Sequence, residues 1–100
     1  MNKILCGDSL SLLLDLPSKS VDCIVTSPPY YGQRDYGVDG QLGMEKTYKE
    51  YISKLADIFE QCHRVLKDTG SLWLNLGDKY LDGHLLGMPW RVAIELQDRG

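Results

Sequence analysis

The sequence predicts an α/β fold, in which mainly parallel strands alternate with flanking helices. Two observations predict it: short apolar runs rich in β-prone residues alternate with segments of helical spacing, and glycine or proline stands between them. The 100 residues suit one small domain at most, and an apolar fraction of 43% is enough for a hydrophobic core.

The first part of the chain predicts two strands around a short helix. Residues 4–6 form an apolar run that predicts the first strand, and Asp8 or Ser9 can cap a brief leucine-rich helix after it. Residues 17–20 read as a turn. Residues 23–26 predict the second strand, and their nearly continuous apolar character predicts burial on both faces of a parallel sheet.

The second part predicts a loop, a long helix, a strand and a final helix. Residues 32–43 contain four glycines and no hydrophobic period, which is typical of a loop. Thr47 and Glu50 form a capping box, and the apolar spacing after them predicts a helix with one buried face that stops at Gly70. Residues 72–76 predict the third strand, and Pro89 predicts the first turn of the last helix.

The Ser-Pro-Pro-Tyr segment, residues 27–30, directly follows the second predicted strand. Proline holds its φ angle near about −65° and lacks an N–H, so strand pairing stops here and a stiff backbone begins. That backbone presents the Ser27 hydroxyl, the Pro28 carbonyl and the Tyr30 ring in fixed relative positions. Two rigid acceptors can bind both hydrogens of an aromatic amino group and turn its lone pair toward a methyl donor. The alternative is a proline-stiffened turn with no chemical role.

Polar or glycine-bearing segments follow all three predicted strands. Gly7 and Asp8 follow the first strand, the Ser-Pro-Pro-Tyr segment follows the second, and Asn75 and Asp78 stand at the end of the third. In open α/β sheets, ligands bind beyond the carboxyl ends of the strands. The sequence therefore predicts a ligand site at this edge of the sheet.

The chain resembles the amino-methylating DNA methyltransferases, which modify N4 of cytosine or N6 of adenine. The similar segments follow one another along nearly the whole chain, at residues 4–9, 26–32, 34–37, 41–45, 63–67, 70–78 and 89–91. Their order resembles the circularly permuted branch, in which the glycine-rich cofactor segment follows the catalytic half. The resemblance implies part of a Rossmann-like S-adenosylmethionine-dependent methyltransferase fold, with residues 1–100 as its N-terminal catalytic part.

The resemblance also implies a set of ligands and site residues. It implies S-adenosyl-L-methionine as cofactor, and double-stranded DNA with a flipped target base as substrate. The implied residues are Ser27, Pro28, Pro29 and Tyr30 for catalysis, Gly7, Asp8, Ser27 and Pro28 for the cofactor, and Tyr30, Tyr31 and Arg34 for the substrate. For Asp8, the role of a helix N-cap is an equally good explanation. Arg34 can equally serve only to hold the loop together.

Several functions stay open at this point. The resemblance implies cytosine N4 as the favoured target, because family members with Ser at the first position of the tetrapeptide tend to be cytosine-N4 enzymes, with adenine N6 as the alternative. Cytosine-C5 methylation is disfavoured, because its thiolate usually stands just after a proline, and here Pro29 follows Pro28. Related tetrapeptides serve protein glutamine and RNA targets, and a truncated chain could act only as an interaction module. A restriction endonuclease partner is compatible with the resemblance.

Charge and chain length bear on how DNA would be bound. The net charge is −3, whereas phosphate contacts normally need clustered Lys and Arg, so most of the grip on DNA is expected outside these residues. No glycine-rich turn follows any predicted strand. The cofactor-binding strands and the target-recognition region are therefore expected on a further segment. The alternative is a truncated product with an exposed sheet edge.

The remaining composition predicts a cytoplasmic protein without a bound metal. The three cysteines form no Cys-x-x-Cys pair and are predicted to be reduced and buried. His63 has no ligand partner four residues on, where Lys67 stands. No apolar run approaches the roughly 20 residues of a membrane span, and the N-terminus does not read as a signal peptide.

Overall fold

A computed structural model describes residues 2–33, 37 and 39–100. Strands β1 and β2 form a parallel two-stranded sheet, and β3 and β4 form an antiparallel hairpin. This alternation around a parallel sheet confirms the predicted fold class. The elements in chain order are α1 (Ser9–Leu14), β1 (Val21–Thr26), α2 (Tyr48–Val65), β2 (Leu66–Leu74), β3 (Tyr80–Leu81), β4 (His84–Leu85) and α3 (Met88–Arg99).

Helix α2 is the centre of the core. Thr47 caps it as predicted, because its Oγ1 accepts a hydrogen bond of 3.2 Å from the Glu50 N–H. Its apolar face packs against Met88 and Val92 of α3 and against the inner side of the sheet. The buried residues of α2 are Tyr51, Ile52, Leu55, Ala56, Phe59, Cys62 and Val65.

No helix in the described part of the chain is long and apolar enough to cross a membrane.

The prediction that Gly70 stops helix α2 is wrong. The helix ends at Val65, and Leu66 is already extended, with φ −70° and ψ 137°. Residues 67–70 belong to an irregularity in the sheet, because Val21 pairs with Leu66 whereas Cys23 pairs with Ser71. A Cβ on Gly70 would stand 2.9 Å from the Leu66 side chain. Glycine is therefore needed for this close approach within the sheet, and it does not end the helix.

The two faces of the β1–β2 sheet have different surroundings. Ile24, Leu72 and Leu74 pack against the core on the inner face. On the outer face Val25 and Trp73, which are register partners, are 77% and 65% exposed. The prediction that the second strand is buried on both faces is therefore wrong, because within the described residues helices cover only the inner face.

The prediction of a strand at residues 4–6 is also wrong. These residues are not in a strand, and Ile4 is 99% exposed. A strand needs a neighbour to pair its N–H and C=O groups, and β-prone residues alone do not supply one. The prediction of buried cysteines holds only for Cys62, where burial raises the pKa of the thiol. Cys6 lies in the unpaired N-terminal segment and Cys23 in β1, and both are exposed.

Candidate active site

Strands β1 and β2 end at the same edge of the sheet. Thr26, the last residue of β1, pairs with Leu74, the last residue of β2. The Asn75 N–H donates to the Thr26 carbonyl at 3.0 Å and extends the pairing by one step. Ser27 and Asn75 therefore leave the sheet side by side, as the sequence predicted for these two strand ends. Gly7 and Asp8, which were predicted to follow the first strand, do not follow a strand in the structure.

The Ser-Pro-Pro-Tyr segment borders open space. Ser27, Pro28 and Pro29 line a cavity of about 550 Å³ among α1, β1 and α2. Ser27 also lines a cavity of about 440 Å³ beside Trp73 and Asn75. Within the described part of the chain, neither the Ser27 hydroxyl nor the Pro28 carbonyl has a hydrogen-bond partner. Both oxygens are thus free to accept hydrogen bonds from a ligand.

Tyr51 of helix α2 binds the Ser-Pro-Pro-Tyr segment. The Tyr51 hydroxyl donates to the Pro29 carbonyl at 2.8 Å. Burial, with smaller contributions from Glu45 and Tyr30, raises the pKa of Tyr51 to about 12, so its hydroxyl keeps the proton it donates. The apolar spacing after Thr47 predicts Tyr51 only as part of the buried face of this helix. The signal for its second role is that a buried phenol needs a polar partner.

The Tyr30 ring is held by the chain that follows β2. Asn75 Nδ2 donates to the Tyr30 hydroxyl at 3.3 Å. Gly77 packs against the ring, since a Cβ there would stand 2.6 Å from Tyr30 Cδ2. These contacts fix the ring and fill one flank of it. Gly77 thus supports Tyr30, a predicted substrate-binding residue.

A hydrogen bond joins the two ends of the loop that follows the segment, residues 32–43. The Gly32 N–H donates to the Gly43 carbonyl at 2.7 Å, and a Cβ on Gly43 would stand 3.0 Å from the Tyr30 carbonyl oxygen. The Gly43 N–H in turn donates to Glu45 Oε1 at 2.8 Å. The Glu45 side chain is 1% exposed and pairs with Lys54 of α2 at 3.5 Å. Glu45 was also missed, because burial of a charge is decided by packing and not by local pattern.

Asp78 has a structural role at the start of α3. Its carboxylate accepts hydrogen bonds from the N–H groups of Lys79, Gly87 and Met88, at 2.7, 3.0 and 3.0 Å. Burial opposes ionisation, but these three bonds and the nearby Arg91 outweigh it and lower the pKa of Asp78. The carboxylate satisfies N–H groups that the helix itself leaves unpaired.

The other predicted site residues lie in less specific surroundings. Asp8 caps α1, because its Oδ2 accepts from both the N–H and the hydroxyl of Ser11 at 3.1 Å. Gly7 and Asp8 are exposed, while the next residue, Ser9, lines the same cavity as Ser27. Tyr31 packs on the Tyr51 ring, with 5.5 Å between ring centroids. Arg34 lies outside the described residues.

The parallel sheet with its flanking helices and the similarity to a solved methyltransferase place the chain in the class of Rossmann-like methyltransferase folds. The chain superposes on the PvuII DNA methyltransferase (cytosine-N4-specific) with a TM-score of 0.69 and 26% identity, over 92% of this chain and 32% of that one. The family model described as DNA methylase matches residues 21–100. The chain therefore belongs to the N6/N4 DNA methylase family.

Curated relatives agree with this assignment. The Type II methyltransferase M.Cfr9I of Citrobacter freundii is 42% identical over 94% of this chain and 41% of its own length. M.SmaI of Serratia marcescens is 39% identical over 98% of this chain and 44% of its own length. M.MwoI of Methanothermobacter wolfeii is 48% identical over 94% of this chain and 15% of its own length. The chain thus spans less than half the length of each of these relatives.

Proposed function

We propose that this chain carries the catalytic part of an S-adenosylmethionine-dependent DNA methyltransferase that modifies the exocyclic amino group of a base. The observation that carries the proposal is the pair of unpartnered acceptors, Ser27 Oγ and the Pro28 carbonyl, on a cavity-lining segment that is anchored on both sides.

The two oxygens would act on the amino group of a base flipped out of the duplex. Each would accept one N–H, which draws the nitrogen toward a tetrahedral shape and frees its lone pair for attack. Tyr30, held by Asn75 and Gly77, would position the base by ring contact. Because these groups are already rigid, little reorganisation accompanies the reaction.

The cavity offers a few polar groups for the methyl donor on a mainly apolar wall. Ser27, Pro28 and Ser9, which is next to Gly7 and Asp8, line it, and most of the remaining lining is apolar side chains of α1, β1 and α2. These residues would hold S-adenosylmethionine, which supplies an electrophilic methyl group when bound. The cavity, about 550 Å³, lies within the size range of small-ligand sites.

Cytosine N4 is the favoured target base. Ser27 supplies a neutral acceptor, and the similar solved structure carries the description cytosine-N4-specific. Adenine N6 is the alternative, because the matching family covers both chemistries.

We further propose that cofactor binding is completed, and the DNA sequence recognised, by a segment outside these 100 residues. The net charge of −3 offers little attraction for phosphates, and the matched regions make up only 41% and 44% of the lengths of two relatives. Because those relatives are Type II methyltransferases, a restriction endonuclease is the partner we propose.

The test uses the full product of the gene that encodes this chain. The protein is incubated with duplex DNA and S-adenosylmethionine labelled in the methyl group, and the DNA is digested to nucleosides. Label in N4-methyldeoxycytidine is expected. Label in N6-methyldeoxyadenosine would move the assignment to the alternative base, and label in neither would overturn the proposal and favour an interaction module.

A pair of serine variants tests the acceptor role. Ser27→Ala should lower turnover by a factor of about ten to a hundred, because one of the two acceptors is lost. Ser20→Ala is the matched control at the opposite end of β1, where the hydroxyl only bonds Pro17 at 2.7 Å. Wild-type turnover in Ser27→Ala would contradict the assignment.

A further inference from the structure

We infer that Tyr51 is a positioning residue for methyl transfer, acting through the Pro29 carbonyl on the two acceptors. The inference rests on the proposed function. It adds a residue outside the Ser-Pro-Pro-Tyr segment, on helix α2, that determines how this segment presents its oxygens.

Few backbone torsions of the Ser-Pro-Pro-Tyr segment are free to rotate. Each proline ring restricts its own φ, so ψ is the main free torsion at Pro28 and Pro29. The ψ angle of Pro29 decides where its carbonyl points and how the chain enters Tyr30. The Tyr51 hydroxyl binds that carbonyl at 2.8 Å and so restricts the torsion that proline leaves free. Prolines and the phenol therefore constrain complementary torsions of the same short backbone.

Tyr51 is itself held rigidly enough for this task. Its side chain is 1% exposed on an 18-residue helix, and the Tyr31 ring packs against it. Glu45 Oε1 accepts from the Gly43 N–H, while Glu45 Oε2 lies 3.5 Å from Lys54 Nζ and has no hydrogen-bond partner among the described residues. The Tyr51 hydroxyl, which stays protonated at neutral pH, donates to the Pro29 carbonyl.

The carbonyl held by Tyr51 is the one next to the proposed acceptor. Pro29 O is bonded inside the protein, whereas Pro28 O is not bonded in the described residues. Both prolines line the 550 Å³ cavity with Ser27. Fixing one carbonyl toward the helix leaves its neighbour available to a ligand, because the two share a stiff backbone.

The test compares Tyr51→Phe with Tyr48→Phe in the full gene product. Tyr51→Phe keeps the ring and removes the hydroxyl. Tyr48→Phe removes a hydroxyl from the same helix, and within the described residues that hydroxyl accepts its hydrogen bond from Arg91, at 3.5 Å, away from the segment. Assays are run well below the melting temperature of each protein. We expect kcat to fall about tenfold or more in Tyr51→Phe, KM for DNA and for S-adenosylmethionine to stay within about twofold, and Tyr48→Phe to match wild type.

The outcomes separate the two proposals. An inactive wild-type protein would overturn the proposed function, and the positioning role with it. An active wild type with unchanged kcat in Tyr51→Phe would overturn the positioning role alone. So would a loss of kcat that disappears on lowering the assay temperature, since it would reflect stability.

A second variant covers the case in which Tyr51→Phe does not fold. A fluorinated tyrosine that ionises near neutral pH is incorporated at position 51, which keeps the hydroxyl at lower pH. We expect kcat to fall as pH rises through that ionisation, because a phenolate cannot donate to the Pro29 carbonyl. A pH profile equal to that of wild type would overturn the inference.

Discussion

The Ser-Pro-Pro-Tyr segment and the N-terminal segment, residues 4–8, have similar sequence contexts and different structures. In each case a short apolar run, residues 23–26 or 4–6, leads into polar or glycine residues that the sequence predicts to lie at the sheet edge. The first is held by Tyr51 of α2 and by Asn75 after β2. The second is not in a strand, and Ile4 is 99% exposed.

The difference shows what a strand pattern requires. The run before Ser27 pairs with β2 and packs Ile24 on the core, so its end has a defined place. The run at residues 4–6 has the same type of side chains and no partner in the described residues. Precise placement of functional groups therefore depends on supporting contacts from other elements.

The largest expected contrast is between Tyr51→Ala and Ile4→Ala. Tyr51→Ala removes a buried ring and leaves the Pro29 carbonyl without its donor, so the free energy of unfolding should fall by about 3–5 kcal/mol. Ile4→Ala should change it by less than about 0.5 kcal/mol, because Ile4 is already exposed. Urea unfolding followed by circular dichroism measures both. Equal losses would mean that Ile4 is packed in solution.

The Gly77→Ala substitution tests the support of Tyr30. The added Cβ would stand 2.6 Å from Tyr30 Cδ2, so relief of the clash should cost about 1–3 kcal/mol of unfolding free energy and displace the ring. Gly83→Ala is the control, where nothing lies within 4 Å of the added carbon, although its φ of +81° adds backbone strain. The NMR signals of the Tyr30 ring should shift in Gly77→Ala and stay unchanged in Gly83→Ala. Unshifted Tyr30 signals would disprove the contact.

The pH dependence of stability tests the environment of Tyr51. The pKa of Tyr51 is raised from 10.0 to about 12, so the unfolded chain loses this proton first as pH rises. The contribution is therefore complete well below pH 10 and declines between about pH 10 and 12, by on the order of 1 kcal/mol at pH 11. Unfolding at pH 9 and pH 11 in wild type and Tyr51→Phe measures the difference. A decline of the same size in both would contradict the assigned burial.

The smallest stability effect is expected at Asp8, in the weakly held segment. Asp8→Ala removes the cap of a six-residue helix without buried residues and should cost about 0.5 kcal/mol. Asp8→Asn keeps a capping oxygen and should preserve stability while removing the charge. If Asp8 binds S-adenosylmethionine as proposed, calorimetry should show weaker binding in Asp8→Asn. Unchanged affinity would leave Asp8 with its capping role alone.

Several features of the fold and site could be predicted from the sequence because their causes are local. Thr47 caps a helix through its own hydroxyl, and the spacing of apolar residues after it defines the buried face. The abrupt end of β1 follows from two prolines. The boundary of α2 could not be predicted in this way, because Gly70 is required by a close approach to Leu66 within the sheet.

The sequence by itself determined the α/β class, the strand that ends at a proline pair, and the resemblance to DNA methylases that the family match confirms. These depend on residue type and spacing. Tertiary structure decided that Tyr51 holds Pro29, that Gly77 supports Tyr30, and that residues 4–6 form no strand. The physical reason is that hydrogen bonds and close packing between distant segments depend on which elements meet, and local patterns do not specify that.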